Sequence, residues 1–125
     1  MEAACMDVIG SHKDLIVWQK SIALAGAVYA ATRMLPSEER LGLIRQLRHS
    51  SVSIASNIAR GSACASRAEL RHSLHVARGS LLELETQVLI AARLSYLTKE
   101  KCQDIMKLAA EVGRLLNGLM SSLTR

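Results

Sequence analysis

Phenylalanine is absent from this 125-residue chain, and it holds only one Trp, two Tyr, one Pro and seven Gly. An all-β sandwich or barrel draws on aromatic strand residues and on glycine and proline turns, so that class is excluded and helix is the default. Cysteine is scarce as well. Cys5, Cys64 and Cys102 are odd in number and far apart, which suits isolated thiols in a reducing compartment better than a disulfide framework or a zinc site. No run of about eighteen apolar residues occurs, so no transmembrane helix is expected, and the acidic, polar start (Met1, Glu2, Asp7) does not read as a signal peptide. A cytoplasmic protein is the expectation. What the chain does have is apolar content: half of its residues are hydrophobic, too rich in Leu, Ile and Val for a disordered basic tail. Its length suits one domain, expected over residues 14–125 behind a flexible tail of residues 1–13.

Spacing then divides the chain into four helices. Asp14 can cap the first, whose seam Leu15, Trp18, Ile22, Ala25, Tyr29 and Thr32 alternates steps of three and four and stops near Leu35, before Pro36. Ser37, followed by Glu38 and Glu39, reads as the cap of a second helix, with carboxylates at the positive end of its dipole. That helix carries the stripe Leu43, Leu47, Ser51, Ile54 and Ile58 and ends near Ala59, with Gly61 as a left-handed C-terminal cap. Ser66 and Glu69 form a capping box for a third helix ending near Leu94, on which Leu70, Leu74, Ala77, Leu81, Leu84, Val88 and Ala91 keep a heptad seam. Thr98 caps a fourth helix, with the seam Cys102, Ile105, Ala109, Val112, Leu116, Leu119 and Leu123. Short connections make consecutive helices neighbours, so the expected fold is all-α, an antiparallel up-down-up-down four-helix bundle.

Several of these segments also carry a resemblance. They are Asp14 to Lys20 (Asp-Leu-Ile-Val-Trp-Gln-Lys), Leu35 to Leu43, Gln46 to Arg48 with Ser51 to Ala59, and Ala77 to Gln87. In this order they resemble the small S23-like four-helix-bundle proteins first noticed as products of intervening sequences in bacterial large-subunit ribosomal RNA genes. The resemblance implies a ring-like homopentamer, no catalytic activity, and kinship with accessory proteins of diversity-generating retroelements, which work with a reverse transcriptase and bind RNA or DNA. One position departs from the family pattern: Arg60 stands where Asn-Ile-Ala-Glu-Gly would place an acid.

Charge is uneven. The chain has a net +5, and residues 40–78 hold seven Arg against Glu69 alone, so this stretch carries +6 and the rest −1. Arg67, Arg71 and Arg78 project within about 40° of one another on a helix, with His75 beside them. With Arg45, Arg48 and Arg60 they form the candidate nucleic-acid surface, since arginine suits planar phosphate partners. A solvated flank, or inter-subunit ion pairs with Glu38, Glu83 or Glu85, is the other reading. The scarcity of aromatics argues against stacking on single-stranded bases. Apolar residues in excess of one seam mark candidate oligomer contacts: Val17, Leu24, Val28 and Ala31 on the first helix, Leu82 and Leu89 on the third. Gln46, Ser50, Ser53 and Asn57 make an uncharged stripe on the second helix that fits a close helix contact, between subunits or within the bundle.

Catalytic chemistry finds little support. Glu69 and His72 make a single E-x-x-H with His75 one turn on, whereas a di-iron bundle needs a second copy and two more inward glutamates, so no metal or cofactor is expected. No serine sits in a Gly-x-Ser-x-Gly elbow. Gly79, next to Ser80 inside the third helix, costs about 1 kcal/mol against alanine, and close helix packing is the expected reason. Trp18 reads as a packing anchor. Two functional classes remain: a non-enzymatic homo-oligomer whose arginines engage nucleic acid or a nucleic-acid enzyme, and a protein scaffold that uses them in protein contacts.

Overall fold

A computed structural model describes residues 15–63 and 66–123. The expected tail, the cap at Asp14, and Cys5 and Cys64 lie outside these residues. Four helices follow in order: α1 (Ile16–Thr32), α2 (Leu43–Ser62), α3 (Arg67–Arg93) and α4 (Lys99–Ser122). Each packs on the helices before and after it and α1 closes the square against α4, with α2 and α3 in the most extensive contact. This is an antiparallel four-helix bundle with no strand among the described residues. Its centre is aliphatic: Leu24, Leu47, Ile54, Ile58, Leu70, Leu74, Leu84 and Leu116 are fully buried.

The third and fourth seams lie in the core as their spacing predicts. Ser66 Oγ accepts from Glu69 N at 3.2 Å and Thr98 Oγ1 from Lys101 N at 3.1 Å, so both expected caps form. α1 faces the other way from the expectation. Val17, Leu24, Val28 and Ala31, assigned to an oligomer surface, are core residues, while Ile22 and Tyr29 of the expected seam are exposed and Trp18 is half-buried at its flank. The sequence of α1 is apolar on both sides, so its own pattern does not select a face. Side-chain chemistry does. Ser21 can be buried because its hydroxyl donates to Val17 O at 2.7 Å, whereas Tyr29 is exposed and offers its ring to Arg48.

Helix ends also differ. α1 stops at Thr32, and Leu35 enters the core from the turn beyond it. Ser37–Glu39 forms a single 3-10 turn instead of opening α2, which starts at Leu43. Glu39 reaches forward to cap it: Oε1 accepts from Leu43 N at 3.1 Å, and Oε2 accepts from Tyr96 OH at 3.1 Å. A Cβ at Gly42 would sit 2.6 Å from that Oε1, so glycine is what lets the carboxylate fold over the helix start. At the other end α2 runs on to Ser62 with Gly61 inside its last turn. A Cβ at position 61 would lie 3.0 Å from Leu70 Cδ1, so this glycine serves close approach to α3 and is no left-handed cap. The left-handed residue is Ser95, at φ 64°, where α3 turns toward α4.

Candidate nucleic-acid interface

α2 and α3 meet along the uncharged stripe. Ser50 is buried, Ser53 Oγ lies 2.8 Å from Ser80 Oγ, and Asn57 Nδ2 donates to Ser53 O at 2.8 Å. Small hydroxyl side chains that satisfy one another let two backbones approach without stranding a polar group. Ser50, Ser53 and Asn57 therefore serve a contact inside the bundle, and Gln46 at its end is exposed. Gly79 has no part in this packing, because it faces outward and a Cβ there would meet nothing within 4 Å; Ser80 makes the contact.

Pairing Ser53 with Ser80 sets the two antiparallel helices in register and divides the +6 stretch. Arg40, Arg45 and Arg48 fall in one half of the bundle, Arg60, Arg67, Arg71 and, next to the midline, Arg78 in the other. Arg48 is half-buried: Nε donates to Thr32 Oγ1 at 2.9 Å and the guanidinium carbon lies 4.6 Å from the centre of the Tyr29 ring. Its charge serves the α1–α2 contact, which takes it out of the candidate surface. Arg45 shares an open recess of about 530 Å³ with His49 and Glu83.

The far end is different in kind. There the last turns of α2, the first half of α3 and the last half of α4 carry Arg60, Arg67, Arg71, Arg78 and Arg114 against two carboxylates, Glu69 and Glu111, the second of which pairs with Lys20 of α1. Arg114 was not visible as a member from sequence position, since only the antiparallel return of α4 brings it to this end. The remainder of the described chain, apart from the Lys20–Glu111 pair (Nζ to Oε1, 3.2 Å), has eight cations against six carboxylates. Arg67, Arg71 and Arg78 lie along the α4 side of α3 with His75 beside them, all exposed and none with an ion-pair partner among the described residues. Four residues of helix advance about 6 Å, so the line from Arg67 to Arg78 extends about 16 Å. Arg60 and His72, with Ala63, Ala68, Glu69 and Ser73, line an open and mainly apolar recess of about 510 Å³ next to it.

Among the described residues no three His, Cys, Asp or Glu side chains converge to hold a metal ion. No described helix is long and apolar enough to cross a membrane. The aromatic residues Trp18, Tyr29 and Tyr96 belong to α1 and to the α3–α4 turn, so none stands on the arginine line. Tyr96 titrates above the ordinary tyrosine value of 10.0, chiefly because its hydroxyl is held by Glu39, with desolvation and the charges of Glu39 and Glu38 acting in the same direction.

Residues 13–118 match the family model of the 23S rRNA-intervening sequence protein. The chain belongs to that family. A solved relative agrees with the architecture. A protein of unknown function from the S23 ribosomal protein family of Bacteroides thetaiotaomicron superposes with a TM-score of 0.78 at 25% identity, covering 84% of this chain and 98% of its own. No curated protein matches the chain significantly. Neither the intervening-sequence family description nor that of the solved relative names a reaction.

Proposed function

We propose that this intervening-sequence-family protein is a non-enzymatic homo-oligomer that binds the phosphate backbone of nucleic acid through the arginine line of α3, flanked by Arg60 and Arg114. The observation that carries the reading is that Arg67, Arg71 and Arg78 are exposed on one side of one helix with no ion-pair partner among the described residues. Guanidinium groups so placed take phosphate oxygens and release condensed counterions, which gives affinity without base readout. With no aromatic side chain on the line, unstacked bases find no platform, and contact stays with the backbone. Repetition of the line in an assembly, a five-membered ring in the expectation set by the family resemblance, turns weak contacts into avidity. The proposed setting is cytoplasmic, as an accessory to nucleic acid or to an enzyme that works on it, such as a reverse transcriptase.

The test is binding of a labelled mixed nucleic-acid probe across a salt series, wild type against Arg67→Glu/Arg71→Glu/Arg78→Glu. Affinity is expected to fall steeply with salt, and the slope to shrink by about 0.9 for each phosphate contact removed. Equal affinity of the two proteins overturns the reading. Leu82 and Leu89, exposed at 56% and 53% in line with the arginines, favour a second reading, a protein-binding scaffold without nucleic acid. Salt-insensitive assembly with no probe bound is the result that reading requires.

A further inference from the structure

We propose that the recess between α2 and α3 beside Gln87 binds a guanine nucleotide. This site is separate from the arginine line: Gln87 and Arg78 are nine residues apart on α3, about two and a half turns, so they stand on opposite sides of that helix. Gln87 Oε1 is buried and accepts no hydrogen bond from any described residue, and it is the one buried side-chain oxygen or nitrogen so placed among them. Buried polar atoms are satisfied in native proteins, so this oxygen calls for a donor from outside the chain. Gln87 borders an open recess of about 530 Å³, a volume within the range of small-molecule sites.

The two walls of the recess offer opposite chemistry. From α3 come Glu83 and Gln87, four residues apart and therefore on one face, a carboxylate and a carbonyl oxygen carried from positions about 6 Å apart along the helix. From α2 come Arg45 and His49 at the same spacing, with N–H groups and the positive charge of the guanidinium. No ion pair joins Arg45 to Glu83, so acceptors and donors border the recess without consuming one another. The exposed Leu41 adds an apolar surface beside them.

Those walls define the ligand. A simple anion leaves Gln87 Oε1 without a donor, and a simple cation meets Arg45. A ligand that suits both carries a negative group for α2 and adjacent N–H groups for α3, and a nucleotide has this form, with phosphate at one end and a base edge at the other. Guanine sets two N–H donors side by side, at N1 and N2, which a carboxylate and a carbonyl oxygen can accept together. Adenine and cytosine place a ring-nitrogen acceptor beside their amine, and uracil flanks its single N–H with carbonyls, so each brings an acceptor against an acceptor wall. The phosphate is left to Arg45 and His49, and Leu41 gives the base an apolar contact.

The experiment is equilibrium dialysis of the full chain against GMP, AMP and a trinucleotide with guanine at its centre, with circular dichroism to follow folding, for wild type, Glu83→Gln, Gln87→Leu and Gln87→Glu. Wild type is expected to hold GMP at least about tenfold more tightly than AMP, a comparison that needs no variant to fold. Glu83→Gln and Gln87→Leu should each weaken GMP by about tenfold, whereas Gln87→Glu, which keeps an acceptor in place, should bind GMP better than Gln87→Leu does. Preference for the trinucleotide over GMP assigns the base to an RNA strand and the reverse to a free nucleotide; either sustains the site. GMP that is not retained at about 1 mM overturns the proposal, as does equal retention of GMP and AMP. GMP affinity unchanged by Gln87→Leu also overturns it, because water alone then satisfies Gln87 Oε1.

Discussion

α1 and α4 lie side by side on the same core and bury stripes of the same spacing, Val17, Ser21, Leu24 and Val28 in one, Ile105, Ala109, Val112 and Leu116 in the other. Their outer sides have nothing in common. α4 shows water Lys99, Glu100, Lys101, Asp104, Lys107 and Arg114, while α1 shows Ile16, Ile22, Ala23, Gly26 and Ala30. The inner stripe of a helix reports that it belongs to a bundle; the outer side reports whether it ends in solvent. The same contrast decides legibility. A helix with one apolar and one charged side announces its orientation, and α4 does so, whereas α1 with two apolar sides announces none.

The largest effect should come from testing which side of α1 is inside. Leu24→Ala is expected to lower the unfolding free energy by about 2–5 kcal/mol, and Ile22→Ala by less than about 1 kcal/mol. Urea unfolding gives both numbers, and the reverse order would put the seam back on Ile22. Next in size, the Arg67, Arg71 and Arg78 charge reversal is expected to weaken probe binding at least about tenfold near 0.1 M salt, each phosphate contact contributing its share. The same charge change at Lys99, Lys101 and Lys107 of α4 should shift affinity by less than about threefold. Similar losses for both triplets would mean that net charge alone, with no arrangement, drives binding.

Two glycines sharpen the comparison at about 1 kcal/mol. Gly118 on α4 and Gly26 on α1 both have open space where a Cβ would go. Gly118→Ala should raise thermal stability by up to about 1 kcal/mol and leave the mass of the assembly unchanged. Gly26→Ala should raise the stability of the folded chain similarly, because a Cβ there meets nothing within 4 Å. The smallest effect concerns the pole where the α1–α2 and α3–α4 turns meet. Tyr96 binds its proton more tightly in the folded protein, so its contribution to stability is complete below pH 10.0, the ordinary value, and is lost as pH rises through the higher folded value. Stability measured from pH 9 upward should fall less steeply in Tyr96→Phe; an unchanged alkaline slope would assign the loss to other groups.

Ser66 and Thr98 read correctly from sequence because a cap is a local bargain, one side-chain oxygen for a backbone N–H three residues on. Glu39 did not, since its value depends on Gly42 leaving room for the carboxylate and on Tyr96, 57 residues away, reaching its second oxygen. Gly61 had two local explanations, and proximity to Leu70 chose between them. For the candidate site, the line Arg67, Arg71 and Arg78 was visible in helical spacing, whereas the loss of Arg48 to Tyr29 and the arrival of Arg114 were not.

The sequence by itself determined four helices, most of their limits, the seams of α3 and α4, and the family, because periodicity, caps and ordered motifs are written in neighbouring residues. Only the tertiary structure decided which side of α1 is buried, which arginines share one end, and which glycines face a neighbour. Those outcomes depend on contacts between residues far apart in the chain, and a helix apolar on both sides carries no local signal to choose between them.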